Sequence, residues 1–256
     1  MGHLAGKVVL VTGGGTGIGR ATAIKVAAEG AKVAIGNRNE AAGEETVSLI
    51  RQAGGEAIFQ RTDVTREADV KALLETTVET FGGLHGAFNN AGIEGATAML
   101  TEHPEDDFDK IMQVNVKGVW YALKHQIPYM IENGGGSIVN NASIAGLIGF
   151  PTHGAYVASK HAVLGLTKTA ALEYGAQGVR TNAVSPAAIE TPMFERFAGS
   201  SDEERAQMKE QMTAMHPIGR LGQPEEIAGA VSWLLSDDAS FMLGQSVTVD
   251  GGFTAI

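Results

Sequence analysis

The sequence predicts an α/β fold built on a doubly wound, seven-stranded parallel sheet with helices on both faces. Two observations predict it: short β-branched runs alternate with longer helical segments along the 256 residues, and glycines stand at the ends of those segments. Strands that alternate with helices form right-handed βαβ units, in which successive strands run parallel. Because no Pro/Ser-rich linker, internal repeat or low-complexity tract divides the chain, we expect a single domain over residues 1–256.

The elements follow one another from the N-terminus as strand and helix in turn. The strands are predicted from short apolar runs, at residues 8–11, 33–35, 57–60, 87–89, 137–140, 181–184 and 247–249. The helices are predicted from longer segments of helical period, at residues 18–29, 41–53, 67–81, 106–132, 155–174 and 224–235. Gly30, "AGG" at 53–55, "FGG" at 81–83 and "NGGG" at 133–136 end the helices before them.

The segment 187–215 interrupts this alternation before the last helix and strand. It is rich in Met and Phe around a charged stretch, "SSDEER". Loops after strands carry function in such sheets, so the segment fits a lid over the substrate. A surface helical hairpin with a Met-rich packing face fits it equally well, and both interpretations stay open here.

Composition excludes several classes of function. The net charge is −10 with no Lys/Arg cluster, which argues against nucleic acid as a partner. The chain has no cysteine and no His pair at helical spacing, so we expect no disulfide, no thiolate nucleophile and no metal site. No apolar run reaches the roughly 20 residues of a membrane helix, and the N-terminus enters a strand without a signal-peptide pattern. We therefore expect a cytoplasmic protein with no membrane partner.

The first strand leads into a glycine-rich turn. In "VVLVTGGGTGIGRATA", Gly13, Gly17 and Gly19 are spaced G-x-x-x-G-x-G, and Thr16 and Ile18 lie between them. Glycines let the backbone approach a pyrophosphate, and the start of the following helix supplies free N–H groups. Since the motif stands between a predicted strand and a predicted helix, we interpret it as a dinucleotide-binding loop of a Rossmann-like fold.

The residues after the second strand predict the type of cofactor. NAD sites usually place a carboxylate there to bind the ribose 2′-hydroxyl, but "IGNRNE" has Asn37 followed by Arg38. An arginine binds a 2′-phosphate by a charge-assisted pair. We therefore expect NADP(H) to be preferred, while NAD(H) stays possible if Arg38 is only a solvated surface charge.

A tyrosine and a lysine lie one helical turn apart in "AYVASKHAVLGL". Residues i and i+4 share a helix face, so Tyr156 and Lys160 are neighbours. In an ordinary helix the lysine would extend to water and the tyrosine would pack with its hydroxyl outward. The alternative is a catalytic pair in which the ammonium of Lys160 lowers the pKa of Tyr156.

These motifs together resemble the short-chain dehydrogenase/reductase family over nearly the whole chain. The matching runs are "TGGGTGIG" at 12–19, "RTDVT" at 61–65, "NNAG" at 89–92, "VNVKG" at 114–118, "IVNNAS" at 138–143, "AYVASK" at 155–160, "AIETPM" at 188–193 and "VDGGF" at 249–253. Tyr156 follows Ser143 by 13 residues, the usual interval in that family. The resemblance implies an NAD(P)(H)-dependent oxidoreductase that interconverts a ketone and a secondary alcohol.

The resemblance also implies roles for individual residues. Tyr156 is the general acid/base, Ser143 binds the substrate oxygen, Lys160 binds the nicotinamide ribose, and Asn115 holds a water in a proton relay. The other residues expected at the cofactor are Asp63, Val64, Asn90, Ala91, Gly92, Pro186, Ile189 and Thr191. The substrate wall is expected to include Ile93, Ile144, Leu147, Phe150 and Met193. One departure is Ser185-Pro186-Ala187, where the family usually has Pro-Gly. Because alanine lacks the freedom of glycine at positive φ, we expect the loop at the nicotinamide to lie slightly differently here.

The resemblance implies a homotetramer and leaves the substrate open. A 3-oxoacyl-carrier-protein reductase and a sugar dehydrogenase belong to the same family. An epimerase or dehydratase uses the same Tyr–Lys pair but usually has a longer chain and another glycine spacing. A nucleotide-sensing protein without catalysis would have no need of the proton donor that Tyr156 supplies.

Overall fold

The computed structural model describes residues 2–199 and 201–255, and its strands form one parallel sheet. The strands are β1 (Val8–Thr12), β2 (Lys32–Asn37), β3 (Glu56–Arg61), β4 (Gly86–Asn89), β5 (Gly136–Asn141), β6 (Val179–Pro186) and β7 (Ser246–Val249). Their order is β3-β2-β1-β4-β5-β6-β7, and every neighbouring pair is parallel. The doubly wound, seven-stranded sheet predicted from the sequence is confirmed.

Helices cover both faces of this sheet. They are α1 (Gly17–Ala28), α2 (Glu40–Gln52), α3 (Glu67–Phe81), α4 (Glu105–Ile111), α5 (Gly118–Glu132), α6 (Gly154–Tyr174), α7 (Pro192–Phe197), α8 (Asp202–Met215) and α9 (Pro224–Leu235). One apolar core lies under α1, α2 and α9, and a second lies under α3, α5 and α6. Strands enclosed on both faces are mainly apolar, which is why β1 reads as the run VVLVT and is fully buried.

The sheet order changes direction between β1 and β4. The chain builds outward from β1 to β3, then returns to β4 on the other side of β1. Loops that leave the carboxyl ends of β1 and β4 therefore turn away from each other and open a crevice. The glycine-rich loop follows β1 and Asn90 follows β4, so both lie at this crevice.

The helical segment predicted at 106–132 differs in one turn. It begins as α4, passes through a π-helical turn at Met112–Lys117 and continues as α5. A π turn widens the helix by one residue and is found mostly at functional sites. The apolar period of the sequence does not reveal it, because one inserted residue moves the period by less than a third of a turn.

The segment 187–215 contains two helices, α7 and α8, which lie beside the crevice. Neither helix has a fully buried residue, whereas α6 is buried along one whole face. Among residues 2–199 and 201–255, no helix combines the length and the apolar character needed to cross a membrane.

Candidate active site

A cavity of about 600 Å³ runs along the carboxyl edge of the sheet. Its walls include most residues that the sequence assigns to cofactor or substrate: Gly13, Thr16, Gly17, Ile18, Asn37, Arg38, Asp63, Val64, Asn90, Ala91, Gly92, Ser143, Ile144, Phe150, Tyr156, Lys160, Pro186, Ile189, Thr191 and Met193. Gly19 and Asn115 are not in the wall. The fold thus brings residues from most of the chain to one crevice, which joins the glycine-rich loop to Tyr156.

The glycine-rich loop is shaped by close contacts that side chains would prevent. Gly13 has φ +66°, and a Cβ there would lie 2.9 Å from the amide nitrogen of Asn90. That nitrogen donates to the carbonyl oxygens of Thr12 at 3.0 Å and Gly13 at 3.2 Å, which ties the loop to the end of β4. Gly19 lies behind the loop, where a Cβ would overlap the carbonyl oxygen of Gly13. Because Gly19 has no side chain, α1 can pack closely against the glycine-rich loop.

The start of α1 suits a phosphate. Thr16 is the N-cap residue, and its side chain accepts no hydrogen bond from the first turn. The first N–H groups of a helix have no partner within the helix, and they carry the positive end of its dipole. Because the loop in front of them is held open by glycine contacts, the residues present fit the pyrophosphate of a dinucleotide.

Asn37, Arg38 and Asp63 line the crevice beyond β2 and β3. The side-chain amide of Asn37 donates to the carbonyl oxygen of Asn39 at 2.8 Å, and the Arg38 side chain is exposed. Burial works against ionisation of Asp63, but hydrogen bonds from Thr65 and the charge of Arg38 lower the pKa of this carboxyl group. The position after β2 therefore offers an amide and a guanidinium and no carboxylate.

Tyr156 and Lys160 lie one turn apart on α6, as the sequence predicts. The amine Nζ of Lys160 is 5.5 Å from the centre of the Tyr156 ring and donates to the carbonyl oxygen of Asn141 at 2.7 Å. Ser143 follows β5 on the same side. Its hydroxyl oxygen accepts from the backbone N–H of Ala145 at 3.1 Å.

The expected lowering of the tyrosine pKa by Lys160 is not found in this arrangement. Burial raises the pKa of Tyr156 to about 12, the Ser143 side chain opposes this rise, and the charge of Glu94 adds to it. Burial also lowers the pKa of the Lys160 amine to about 8. The amine is directed at the Asn141 carbonyl and is itself desolvated, so the chain alone keeps Tyr156 a neutral phenol at pH 7.

Asn115 is held in the π-helical turn and is buried behind the crevice. Its side-chain amide donates to the carbonyl oxygen of Ile93 at 2.9 Å and to the hydroxyl of Ser159 at 3.1 Å. Its carbonyl oxygen accepts from the backbone N–H of Ile93 at 2.8 Å. The side chain therefore joins the loop after β4 to α6, and the water relay expected at Asn115 stays a prediction.

Many of the side chains in the cavity wall are apolar. They include Ile93, Ile144, Phe150, Met193, Phe194, Phe197, Met208, Met212 and Phe253. The rings of Phe150 and Phe253 lie 5.9 Å apart, and those of His153 and Phe197 lie 5.0 Å apart. Leu147 does not line the cavity and is 41% exposed, so the expectation that it belongs to the substrate wall is wrong.

Ala187 fits its position without strain. Among the described residues other than glycine, Thr152 alone has a positive φ, so Ala187 adopts a conformation open to any residue. The departure from the usual Pro-Gly therefore leaves the backbone after β6 undistorted. Pro186, Ile189 and Thr191 all reach the cavity wall.

Sequence reasoning missed several residues of the cavity wall. They include Glu94, Thr97, Lys110, Asn141 and Phe253. Asn141 lies within the quoted run "IVNNAS", and Glu94 comes two residues after "NNAG", so their closeness to these motifs was the available signal. Phe253 comes from the chain terminus, and only the tertiary fold brings it to Phe150.

Comparison with known proteins agrees with this geometry. A family model described as enoyl-(acyl carrier protein) reductase matches residues 13–254. The chain is 49% identical to a 2,5-dichloro-2,5-cyclohexadiene-1,4-diol dehydrogenase of Sphingobium indicum, over 100% of both chains. The chain belongs to the short-chain dehydrogenase/reductase family. It is an NAD(P)-dependent oxidoreductase that acts on secondary alcohols and ketones.

Other members of the family are also similar over their full length. The chain is 44% identical to a cyclohexanol dehydrogenase of an Acinetobacter species, covering 97% of this chain and 95% of that one. The crystal structure of levodione reductase superposes with a TM-score of 0.95 at 39% identity, covering 98% and 99% of the two chains. The structure of an NAD⁺-bound xylitol dehydrogenase has a TM-score of 0.93 at 39% identity, covering 97% and 99%.

Proposed function

We propose that this protein is an NADP(H)-preferring dehydrogenase that interconverts a cyclic secondary alcohol and its ketone, with Tyr156 as the general acid/base. The observation that carries the proposal is the single cavity joining the glycine-rich loop, Tyr156 and an apolar wall. A dinucleotide laid along the loop would bring its reactive ring beside the tyrosine. The apolar wall would then hold the carbon skeleton of the substrate.

Four residues have a defined part in the proposed mechanism: Ser143, Tyr156, Lys160 and Asn115. The bound nicotinamide supplies the hydride in reduction and accepts it in oxidation. Ser143 binds the substrate oxygen, and the Tyr156 hydroxyl gives that oxygen a proton in reduction or removes one in oxidation. Lys160 holds Tyr156 and the cofactor ribose in position, while Asn115 keeps the loop after β4 against α6.

The raised pKa of Tyr156 favours one direction of reaction. A phenol with a pKa of about 12 is protonated at pH 7, as an acid that protonates a ketone must be. The reverse reaction needs the phenolate, which the positive charge of an oxidised nicotinamide would stabilise. We therefore propose that oxidation requires a higher pH than reduction.

The preference for NADP(H) is supported by Asn37 and Arg38. No carboxylate stands at the end of β2 to repel a 2′-phosphate, and the exposed guanidinium of Arg38 is free to swing toward one. The NAD⁺-bound xylitol dehydrogenase has the same fold, so the fold by itself does not choose the cofactor. The choice depends on these two side chains.

A six-membered ring is the proposed substrate skeleton. The names of two relatives, at 49% and 44% identity, contain cyclohexadiene and cyclohexanol. The aromatic and methionine side chains around Tyr156 suit such a ring better than a sugar, whose hydroxyl groups need polar partners. We propose that α7 and α8 act as the lid over this ring.

A cytoplasmic homotetramer is part of the same proposal. Two groups of exposed large apolar side chains support it. Phe108 and Trp120 lie on α4 and α5, while Leu172, Phe241 and Leu243 lie near β7. Exposed apolar patches of this kind mark subunit contacts.

The test is turnover of NADPH and of NADH, measured side by side with a panel of ketones. The panel contains cyclohexanone, an open-chain ketone of the same carbon number, a keto sugar and a 3-oxoacyl thioester. We expect the highest kcat/KM with NADPH and the cyclic ketone. A preference for NADH would contradict the Arg38 argument, and a preference for the thioester or the sugar would contradict the proposed substrate.

A further inference from the structure

A histidine and a threonine form a polar pair in the wall of the cavity. His153 immediately precedes α6, and Thr97 lies in the loop after β4. Both residues line the cavity that contains Tyr156. The ring nitrogen Nε2 of His153 is 3.4 Å from the hydroxyl oxygen Oγ1 of Thr97. The pair therefore adds hydrogen-bonding atoms to a wall in which many side chains are apolar.

The backbone holds these two side chains together. The backbone N–H of Ala98 donates to the carbonyl oxygen of Thr152 at 3.0 Å, and Ala98 pairs with His153 in a parallel bridge. Thr152 has a φ of +66°, which is an outlier for a β-branched residue. Backbone strain of this kind costs stability and is found mostly at functional sites. The strain next to His153 therefore favours a functional role for the loop before α6.

His153 lies one helical turn before Tyr156. The carbonyl oxygen of His153 accepts from the backbone N–H of Val157 at 2.9 Å, so His153 begins the hydrogen-bonded spiral of α6. Residues three apart on a helix surface have Cβ atoms about 5–6 Å apart. The side chain of His153 is therefore placed to contact a substrate that is bound at Tyr156.

The hydrogen bonds of the His153 ring determine which nitrogen carries the hydrogen. Nδ1 is 3.0 Å from the carbonyl oxygen of Pro151, and a carbonyl oxygen can only accept. Thr152 Oγ1 lies 3.3 Å from Nδ1, and its own hydrogen is donated to the Pro151 carbonyl at 2.6 Å. Both neighbours of Nδ1 are thus acceptors. Nδ1 therefore carries the hydrogen, and Nε2 of the neutral ring is an acceptor.

The contact between Nε2 and Thr97 leaves room for a better partner. An O–H donor usually lies about 2.8 Å from its acceptor, so the observed 3.4 Å is a weak bond. A substrate hydroxyl group beside the pair would donate to Nε2 and accept from the Thr97 hydroxyl. The His153 side chain makes no capping hydrogen bond to α6, and its ring packs 5.0 Å from that of Phe197. The ring is therefore held in place while Nε2 stays available.

We propose that His153 and Thr97 form a subsite for a second hydroxyl group on the substrate ring. This inference rests on the proposed function and narrows its substrate class to cyclic alcohols and ketones with a further hydroxyl group away from the reacting carbon. The subsite requires an O–H group. An ether or a second carbonyl oxygen can only accept, and it would leave Nε2 without a donor.

The experiment compares two ketones that differ in one substituent. 4-Hydroxycyclohexanone has the hydroxyl group, and 4-methylcyclohexanone has a methyl group of similar size in its place. Both are reduced with whichever of NADPH and NADH supports turnover. We expect the wild-type kcat/KM to be roughly five- to tenfold higher for the hydroxy ketone, the effect of about one net hydrogen bond. No preference for the hydroxy ketone would overturn the proposal.

His153→Leu tests the acceptor. The variant leaves the substrate hydroxyl in the cavity without an acceptor, so the ratio of kcat/KM for the hydroxy ketone to that for the methyl ketone should fall by roughly five- to tenfold. A general disturbance of the site would lower kcat/KM for both ketones and leave their ratio unchanged. A ratio equal to that of the wild type would show that another group binds the hydroxyl, and it would overturn the proposal.

Thr97→Val tests the donor. Valine keeps the shape of threonine, and the position is exposed, so the fold should be kept even if His153→Leu does not fold. The ratio should fall by roughly threefold, since one weaker hydrogen bond is lost. An unchanged ratio in Thr97→Val would overturn the paired subsite.

His161→Leu is the matched control. His161 is exposed on α6 outside the cavity wall, and its Nδ1 lies 3.0 Å from the carbonyl oxygen of Val157, a bond of the same kind as that of His153. This variant should keep the wild-type ratio. If His161→Leu lowers the ratio as much as His153→Leu, the effect comes from any change in α6 and the proposal fails.

Failure of the proposed function would look different. If neither cyclohexanone derivative is turned over while the keto sugar or the 3-oxoacyl thioester is, the proposed substrate ring is wrong and this inference falls with it. If both derivatives are turned over and their ratio is the same in the wild type and in His153→Leu, only the hydroxyl subsite is wrong.

Discussion

Arg38 supplies the positive charge on which the proposed preference for NADP(H) depends. Its guanidinium lines the cavity at the end of β2, beside Asn37. We predict that Arg38→Leu raises KM for NADPH by about tenfold, the loss expected for one charge-assisted pair, while KM for NADH changes little. Steady-state kinetics with both cofactors measures this.

A matched control for Arg38 is available one strand away. Arg61 ends β3, is exposed and does not line the cavity. Arg61→Leu removes the same charge from the same edge and should leave both KM values unchanged. If the two variants weaken NADPH binding equally, the preference comes from overall charge and the Arg38 argument is wrong.

Lys160 is buried at a cost to stability. Burial lowers the pKa of its amine to about 8 from 10.5, so the folded state binds this proton less tightly than the unfolded chain does. The cost is therefore present at pH 7 and disappears as the pH rises from about 8 to 10.5. Residues at functional sites often carry such a cost.

We predict that Lys160→Met abolishes turnover and stabilises the protein at pH 7. The free energy of unfolding should rise by roughly 1 kcal/mol, less than the full cost of the buried charge, because the hydrogen bond to Asn141 is also lost. The gain should vanish near pH 10. Denaturant unfolding at the two pH values measures it, and Lys168→Met, an exposed site on the same helix, serves as control. A Lys160→Met variant less stable than wild type at pH 7 would contradict this account.

Among the elements, α7 and α8 are the least firmly held. Neither has a fully buried residue, although both reach the cavity, whereas α9 buries a continuous face of similar length. Helices with few buried contacts open at a low free-energy cost.

We predict that backbone amides of α7 and α8 exchange with deuterium at least about 100-fold faster than those of α9, because local opening needs little energy there. Hydrogen exchange measured by mass spectrometry tests this, with α9 as the internal control. NADPH together with an alcohol should slow exchange in α7 and α8 only. Equal protection of all three helices would mean that the segment 187–215 is a fixed packing hairpin.

The sequence predicts the elements well where burial alone decides them. Strands enclosed on both faces are mainly apolar, so β1 is visible as the run VVLVT, and the fixed spacing of Tyr156 and Lys160 places both on one helix face. The π-helical turn around Asn115 escapes prediction, since one extra residue hardly disturbs the apolar period. The direction of the Lys160 amine also escapes it, because the competing acceptor is a backbone carbonyl, which every residue has.

At the scale of the whole molecule, the exposed apolar residues predict its assembly. Trp120 is 41% exposed on α5, and it lines a groove with Met112, Val116 and Leu166. We predict that the wild-type protein has four times the mass of one chain in solution. Trp120→Glu should have only twice the mass of one chain, because a buried carboxylate would be unpaired in the contact. Light scattering after size-exclusion chromatography measures both.

Leu49 provides the control for this prediction. It is 39% exposed on α2, away from both apolar regions. Leu49→Glu should remain a tetramer. A monomeric wild-type protein would show that the apolar residues on α4 and α5 serve another purpose.

The account of the whole molecule depends on proton transfer at Tyr156, and Tyr156→Phe tests it most directly. The substitution removes one oxygen atom and keeps the aromatic ring, so the fold and NADPH binding should be unchanged. We predict that turnover of a cyclic ketone with NADPH falls by about 1,000-fold, within the range for loss of a general acid. Turnover near that of the wild type, with NADPH still bound, would contradict the account.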